Sequence, residues 1–163
     1  MKRLIVFLAI ATVVIATVAV VFLRDSDDAG DSHREIPGDA DPENAVVIDD
    51  WAMTLAAGDV EGAAGFFAIP SVAENGGIVV EIENRDDARL FNASLPCGAE
   101  LTRADDDGEF TIATFRLTER PGPGSCGDGV GMTASTAFVI EGGEIVEWRR
   151  VGDGGPEAPS TPA

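Results

Sequence analysis

The chain has no tyrosine, one histidine, one lysine and two cysteines in 163 residues. Each scarcity removes an option. The only imidazole, His33, sits in an acidic stretch with glycines nearby, so no histidine is available to a buried site. Without tyrosine there is no phenol to donate a hydrogen bond to a developing oxyanion. Two cysteines, Cys97 and Cys126, with no second pair and no neighbouring histidine, make a poor zinc site. The only lysine is Lys2, and every other cation is arginine, a usage that suits a GC-rich genome and equally a salt-rich habitat.

Positive charge is also scarce. The net charge is −18. Lys2, Arg3 and Arg24 are three of the eleven cations and no acid precedes Asp25, so the remainder sets eight cations against 29 acids, a balance of −21. Such a surface repels nucleic acid and anionic lipid, and neither is expected as a partner. Its plain reading is a solvated surface kept soluble by charge.

One long apolar run is present. Leu4 to Leu23 carries no charge, proline or glycine. About 20 apolar residues at ~1.5 Å each match a bilayer core of about 30 Å. A cleaved signal peptide is the rival reading. Its apolar region would usually be shorter and would end in small residues, whereas this run ends Val20-Val21-Phe22-Leu23. The sequence therefore favours an uncleaved signal anchor over residues 1–24. Lys2 and Arg3 before the span and acids after it place the remainder outside the cytoplasm. In that setting an even cysteine count suggests a Cys97–Cys126 disulfide.

Residues 25–41 are acidic, with Gly and Pro, and read as a disordered tether. Residues 152–163 are a Gly/Pro tail. The folded domain is expected over residues 42–151. Asp41 is a good N-cap, with Pro42 at the first helical position and Glu43 at the positive end of the dipole. Val47, Ile48, Trp51 and Leu55 recur at helical spacing. Gly58 offers a left-handed helix stop and Asp59 an immediate new cap, so a second short helix through Val60, Ala63, Ala64 and Phe67 is expected to end before Pro70. "IVVEI" (78–82) reads as a strand. Asn84 caps a third helix, whose buried side is expected to hold Leu90, Phe91 and Leu95. Two hairpins follow, around "DDDG" and "EGG".

The segments "DDWAMTLAAGDVEGAAGFFA" and "TASTAFVIEGGEIVEWRRV" carry a likeness that spans about Pro42 to Val151. There the chain resembles the nuclear transport factor 2-like superfamily, also called ketosteroid-isomerase-like or polyketide-cyclase-like. The resemblance implies an α+β, cone-shaped half-barrel: a curved, mainly antiparallel sheet, three helices over its concave face, often an apolar pocket, often dimerisation through the sheet. A membrane-anchored form with an acidic tether is similar in architecture to small actinobacterial envelope proteins associated with mammalian-cell-entry lipid transporters. Fold does not fix function.

An enzyme on this fold usually needs an Asp or His inside the cone. Asp49 and Asp50 on the first helix are the carboxylates in reach, and periodicity makes both surface charges, Asp50 facing solvent and Asp49 nearer the edge. No catalytic, metal or cofactor residue is assigned. "DDDG" (105–108) lacks the alternating oxygen ligands of a calcium loop and reads as a turn. Asn92 in "NAS" matches a glycosylation acceptor, but falls in an expected helix. Candidate pocket-lining residues are Trp51, Phe67, Phe91, Phe115, Met132 and Phe138, each of which also suits plain core. Met132, Ala134, Thr136 and Phe138 alternate on one strand face, and their small members would leave room for a ligand. Three readings stay open: a tethered domain binding an apolar small molecule or an envelope partner; a structural accessory subunit with a filled core; and a cyclase- or isomerase-type enzyme.

Overall fold

Helix α1 (Pro42–Ala56) starts where a carboxylate can cap it: the Glu43 amide donates to Asp41 Oδ1 at 2.8 Å. It stops at Gly58, whose φ of +84° belongs to the left-handed region that favours glycine. Asp59 then caps α2 (Val60–Ala64), accepting from the Gly62 amide at 2.8 Å. The chain thus turns a corner while Trp51 and Phe67 both stay buried in one core. The structure is a computed structural model in which residues 34–152 are described. The expected membrane span, His33 and the tail after Gly152 lie outside the described residues. Among the described residues, no helix is long and apolar enough to cross a membrane.

The helices pack on one six-stranded curved sheet of order β2-β1-β6-β5-β4-β3. Its strands are β1 (Phe67–Asn75), β2 (Ile78–Ile82), β3 (Gly98–Asp107), β4 (Phe110–Thr118), β5 (Thr133–Glu141) and β6 (Glu144–Val151). β1 runs parallel to β6 and every other pair is antiparallel. Register breaks at Phe67/Val72, Leu101/Arg103 and Val139/Ile140 are the irregularities that let a twisted sheet bend. Helix α3 (Arg85–Ser94) lies between β2 and β3 in the chain, capped by Asn84 through the Asp87 amide at 3.1 Å. α1 packs on β3 and β4, and α3 on β1 and β2, so the helices cover the concave face.

Six aromatic rings form the centre of that core. Trp51 meets Phe67, Phe115 and Phe138 edge-on at 6.4, 6.3 and 5.6 Å, and Phe91 meets Phe67 and Trp148 at 5.7 and 5.1 Å. Such edge-to-face pairs add about 0.5–1.5 kcal/mol each beyond the area they bury. Cys97 and Cys126 are joined, with Cα atoms 4.5 Å apart. The bond ties the chain just before β3 to a short 3-10 turn (Gly127–Gly129) in the loop that leads to β5.

The structure corrects the sequence reading at several points. Phe67 is not in the second helix: α2 ends at Ala64, and Phe67 opens β1, a strand the sequence reading lacked. Pro70 and the register break disguise it, since its burial does not alternate. Leu90 is exposed, because the buried stripe of α3 is Ala88, Phe91 and Asn92, and Leu90 lies off that stripe. Asp49 is buried rather than at the surface. The buried stripe of α1 includes Ala45, Ile48, Asp49 and Ala52, so Asp49 sits four residues from Ala45 and three from Ala52, on the packed face itself. The end of the expected tether is part of the fold. Ile36 packs against the core, Ala104 donates its amide to Pro37 O at 2.9 Å, and Ala40 donates to Ala104 O at 3.3 Å, so this segment runs along β3.

Candidate functional site

Beside the aromatic cluster, on the concave face, is a cavity of about 110 Å³. Trp51 and Leu55 of α1 form one wall. Ala99, Phe115, Leu117, Ala134, Thr136, Trp148 and Arg150 of β3–β6 form the floor, and Asn75, Leu95, Pro96 and Cys97 complete the rim. The sheet register explains this layout. Trp148 pairs with Phe138 and Ala73, and Arg150 pairs with Thr136. Trp148 and Arg150 are two residues apart, so they share a face. The floor therefore grades from rings near Trp148 to a polar row of Asn75, Arg150 and Thr136. Ala134 and Ala99 supply the space: larger side chains there would fill it.

Of the sequence-derived candidates, Trp51 and Phe115 lie on the cavity wall. Phe67, Phe91 and Phe138 are in the packed core and do not line the cavity. Met132 is 59% exposed and precedes β5, so it points away from any enclosed space. Ala134 and Thr136, noted for their alternation, do line it. Among the lining residues that were missed, two matter most. Trp148 and Arg150 come from the strand after "EGG", where pairing with Phe138 and Thr136 across the hairpin was the available signal.

The polar chemistry of the cavity is sparse. Among the described residues, its lining contains no Asp, Glu or His. Asp49 is buried but is not one of the lining residues. The two tryptophans, the only ones in the chain, differ sharply. Trp51 Nε1 donates to Asn92 Oδ1 at 2.9 Å. Trp148 Nε1 is buried and has no hydrogen-bond acceptor. Asn92 is itself fully buried, with its amide donating to Ala88 O at 2.8 Å, and so cannot serve as a glycan acceptor in the folded chain.

The arginines are allocated just as unevenly. Arg120 is buried and donates to the carbonyls of Asn92, Ala93 and Leu95 at the end of α3. Arg85 does the same for the end of α2, through Ala64 O and Phe67 O. Neither helix has a basic residue in its own last turn, so these arginines supply the missing cation from elsewhere in the chain. Arg89, Arg103, Arg116 and Arg149 pair with Asp86, Asp105, Glu100 and Glu147. The Arg103 hydrogen bond holds the Asp105 carboxyl below the usual carboxylate range. Arg34 is also engaged. Among the described residues, Arg150 is the arginine with neither an ion pair nor a hydrogen bond from its guanidinium.

No protein-family model matches the sequence, and no curated protein matches it. Solved structures do. A Sinorhizobium meliloti protein classed with the polyketide cyclases is 17% identical with a TM-score of 0.51, covering 64% of this chain and 93% of that one. A Kribbella flavida protein classed with the ketosteroid isomerases is 18% identical with a TM-score of 0.50, covering 74% and 83%. A nuclear transport factor 2-like protein of unknown function from Cytophaga hutchinsonii is 11% identical with a TM-score of 0.50, covering 69% and 90%. At these identities the likeness is one of fold: the domain has the nuclear transport factor 2-like architecture.

Proposed function

We propose that the chain is a membrane-tethered, extracytoplasmic binding domain whose cavity holds a small, mainly apolar molecule. The observation that carries the binding reading is the cavity itself: about 110 Å³, walled mainly by rings and aliphatic side chains, on the concave face of the fold. Pockets of this kind, apolar with a few convergent polar groups, are where small molecules bind. The Leu4–Leu23 run supports the tether. The Cys97–Cys126 bond supports an oxidising compartment. A lining whose described residues include no carboxylate or imidazole favours holding a molecule over transforming it by acid–base chemistry.

The test uses the protein's own reporters. Both tryptophans line the cavity and there is no tyrosine, so tryptophan emission reads the cavity walls alone. Titration of the full-length chain with benzene should give a saturable change in emission. A linear response with no saturation contradicts the reading. One observation favours a structural accessory subunit instead: the six-ring cluster leaves little of the cone empty. That alternative predicts no saturable response and a partner seated outside the cone, either an envelope protein or a second copy through the sheet.

A further inference from the structure

We infer that the molecule this cavity takes is a small apolar carboxylate, its hydrocarbon body against Trp51 and Phe115 and its carboxylate at Arg150. This rests on the binding reading above and adds the chemical class. Three independent observations point to it.

The first is the unspent cation. Arginine is scarce in this acid-rich domain, and the other seven arginines among the described residues are committed to helix ends, carboxylates or another contact. Arg150 alone has no such engagement there, and it lines the cavity as an exposed residue, which sets it on the open side. A planar guanidinium is the group that matches a carboxylate in bidentate fashion. The second is its company. Thr136 is its cross-strand partner, and Asn75 follows Glu74, the partner of Arg149, so a hydroxyl and an amide flank the guanidinium in one row across β1, β6 and β5. The third is Trp148, two residues before Arg150 on the same face. Its buried indole N–H has no acceptor of its own, and the ring lines the cavity.

Size sets the body of the ligand. A cavity of about 110 Å³ is near the scale of the roughly 150 Å³ apolar cavity that takes benzene. One ring or a short branched chain fits within it. The acidic surface opposes an anion at long range. The screening length at physiological salt is about 8 Å, so the contact groups decide.

Benzoate, benzamide and benzene are the probes, each titrated against the full-length chain by tryptophan emission at physiological salt and neutral pH. Benzoate should bind at least tenfold more tightly than benzamide, which has the same shape without the charge. Arg150→Gln should remove that preference. In nitrogen–proton spectra the indole signal lost in Trp148→Phe should be the one that benzoate moves. Equal affinity for benzoate and benzamide, or a preference that survives Arg150→Gln, overturns the carboxylate inference while the binding reading stands. Failure of all three probes to saturate overturns the binding reading and the inference with it.

Discussion

The indole N–H of Trp51 donates to Asn92 Oδ1 across 2.9 Å, joining α1 to α3 inside a core with no other side-chain polar pair of that kind between these helices among the hydrogen bonds described. Asn92 is fully buried, and Trp51 touches three other rings. Asn92→Ala should therefore cost about 2–4 kcal/mol, combining a small cavity with an orphaned indole donor. Trp51→Phe in the same chain removes the orphan, so the double variant should be more stable than the sum of the two single losses. Denaturant unfolding of the four proteins checks it. Simple additivity would mean that the hydrogen bond contributes nothing specific.

Gly58 and Asp59 form the corner between α1 and α2. Gly58 has a φ of +84°, and a Cβ there would lie 3.0 Å from Pro121 Cβ and 3.1 Å from Pro121 O. Gly58→Val should lower the melting temperature well beyond an ordinary surface change, since both backbone and space oppose it. Asp59→Ala should cost about 1 kcal/mol through the lost cap. A Gly58→Val protein that melts with the wild type would mean that the corner is not built this way.

Arg120 holds three carbonyls at the end of α3 from a position 25 or more residues away in sequence. Arg120→Met keeps much of the side chain's bulk and removes the donors. It should destabilise the domain by roughly 2–3 kcal/mol, the scale of losing charged hydrogen bonds to buried acceptors. The contrast is Arg89→Met, whose exposed pair with Asp86 should be worth less than about 0.5 kcal/mol. Equal effects in thermal melts would contradict the capping role.

The bond between Cys97 and Cys126 spans 29 residues of sequence. In the chain-entropy view, replacing both cysteines by alanine should cost roughly 3–4 kcal/mol. Titration of the denatured, unreduced chain with a thiol reagent should find no free sulfhydryl. Two free thiols would remove the support for an oxidising compartment.

Much of this fold was legible because its signals are local. Asp41, Asp59 and Asn84 each accept from an amide two or three residues on, and caps of that kind are written in adjacent positions. The turns at Gly108 and Gly142-Gly143 have the positive φ that Asp-Gly and Gly-Gly pairs announce. What was missed carries weaker local signals. β1 pairs locally with β2 across Gly76-Gly77 and, on its other edge, with β6 some 75 residues later, and Pro70 hides its period. Asp49 shares its buried stripe with Ala45 and Ala52, whose small side chains mark a packed face only weakly. The cavity shows the same division. Trp51 and Phe115 were recognisable as large inward rings, whereas the roles of Trp148 and Arg150 follow only from cross-strand register.

The central claim is that the cone holds a real apolar space and not merely a packed core. Crystals of the protein exposed to xenon test it without assuming any ligand, because the gas enters dry apolar cavities irrespective of chemistry. The account predicts an anomalous peak enclosed by Trp51, Phe115, Ala134 and Trp148, absent when Ala134→Phe fills the space. No peak there in the wild type, or an equal peak in both proteins, would contradict it.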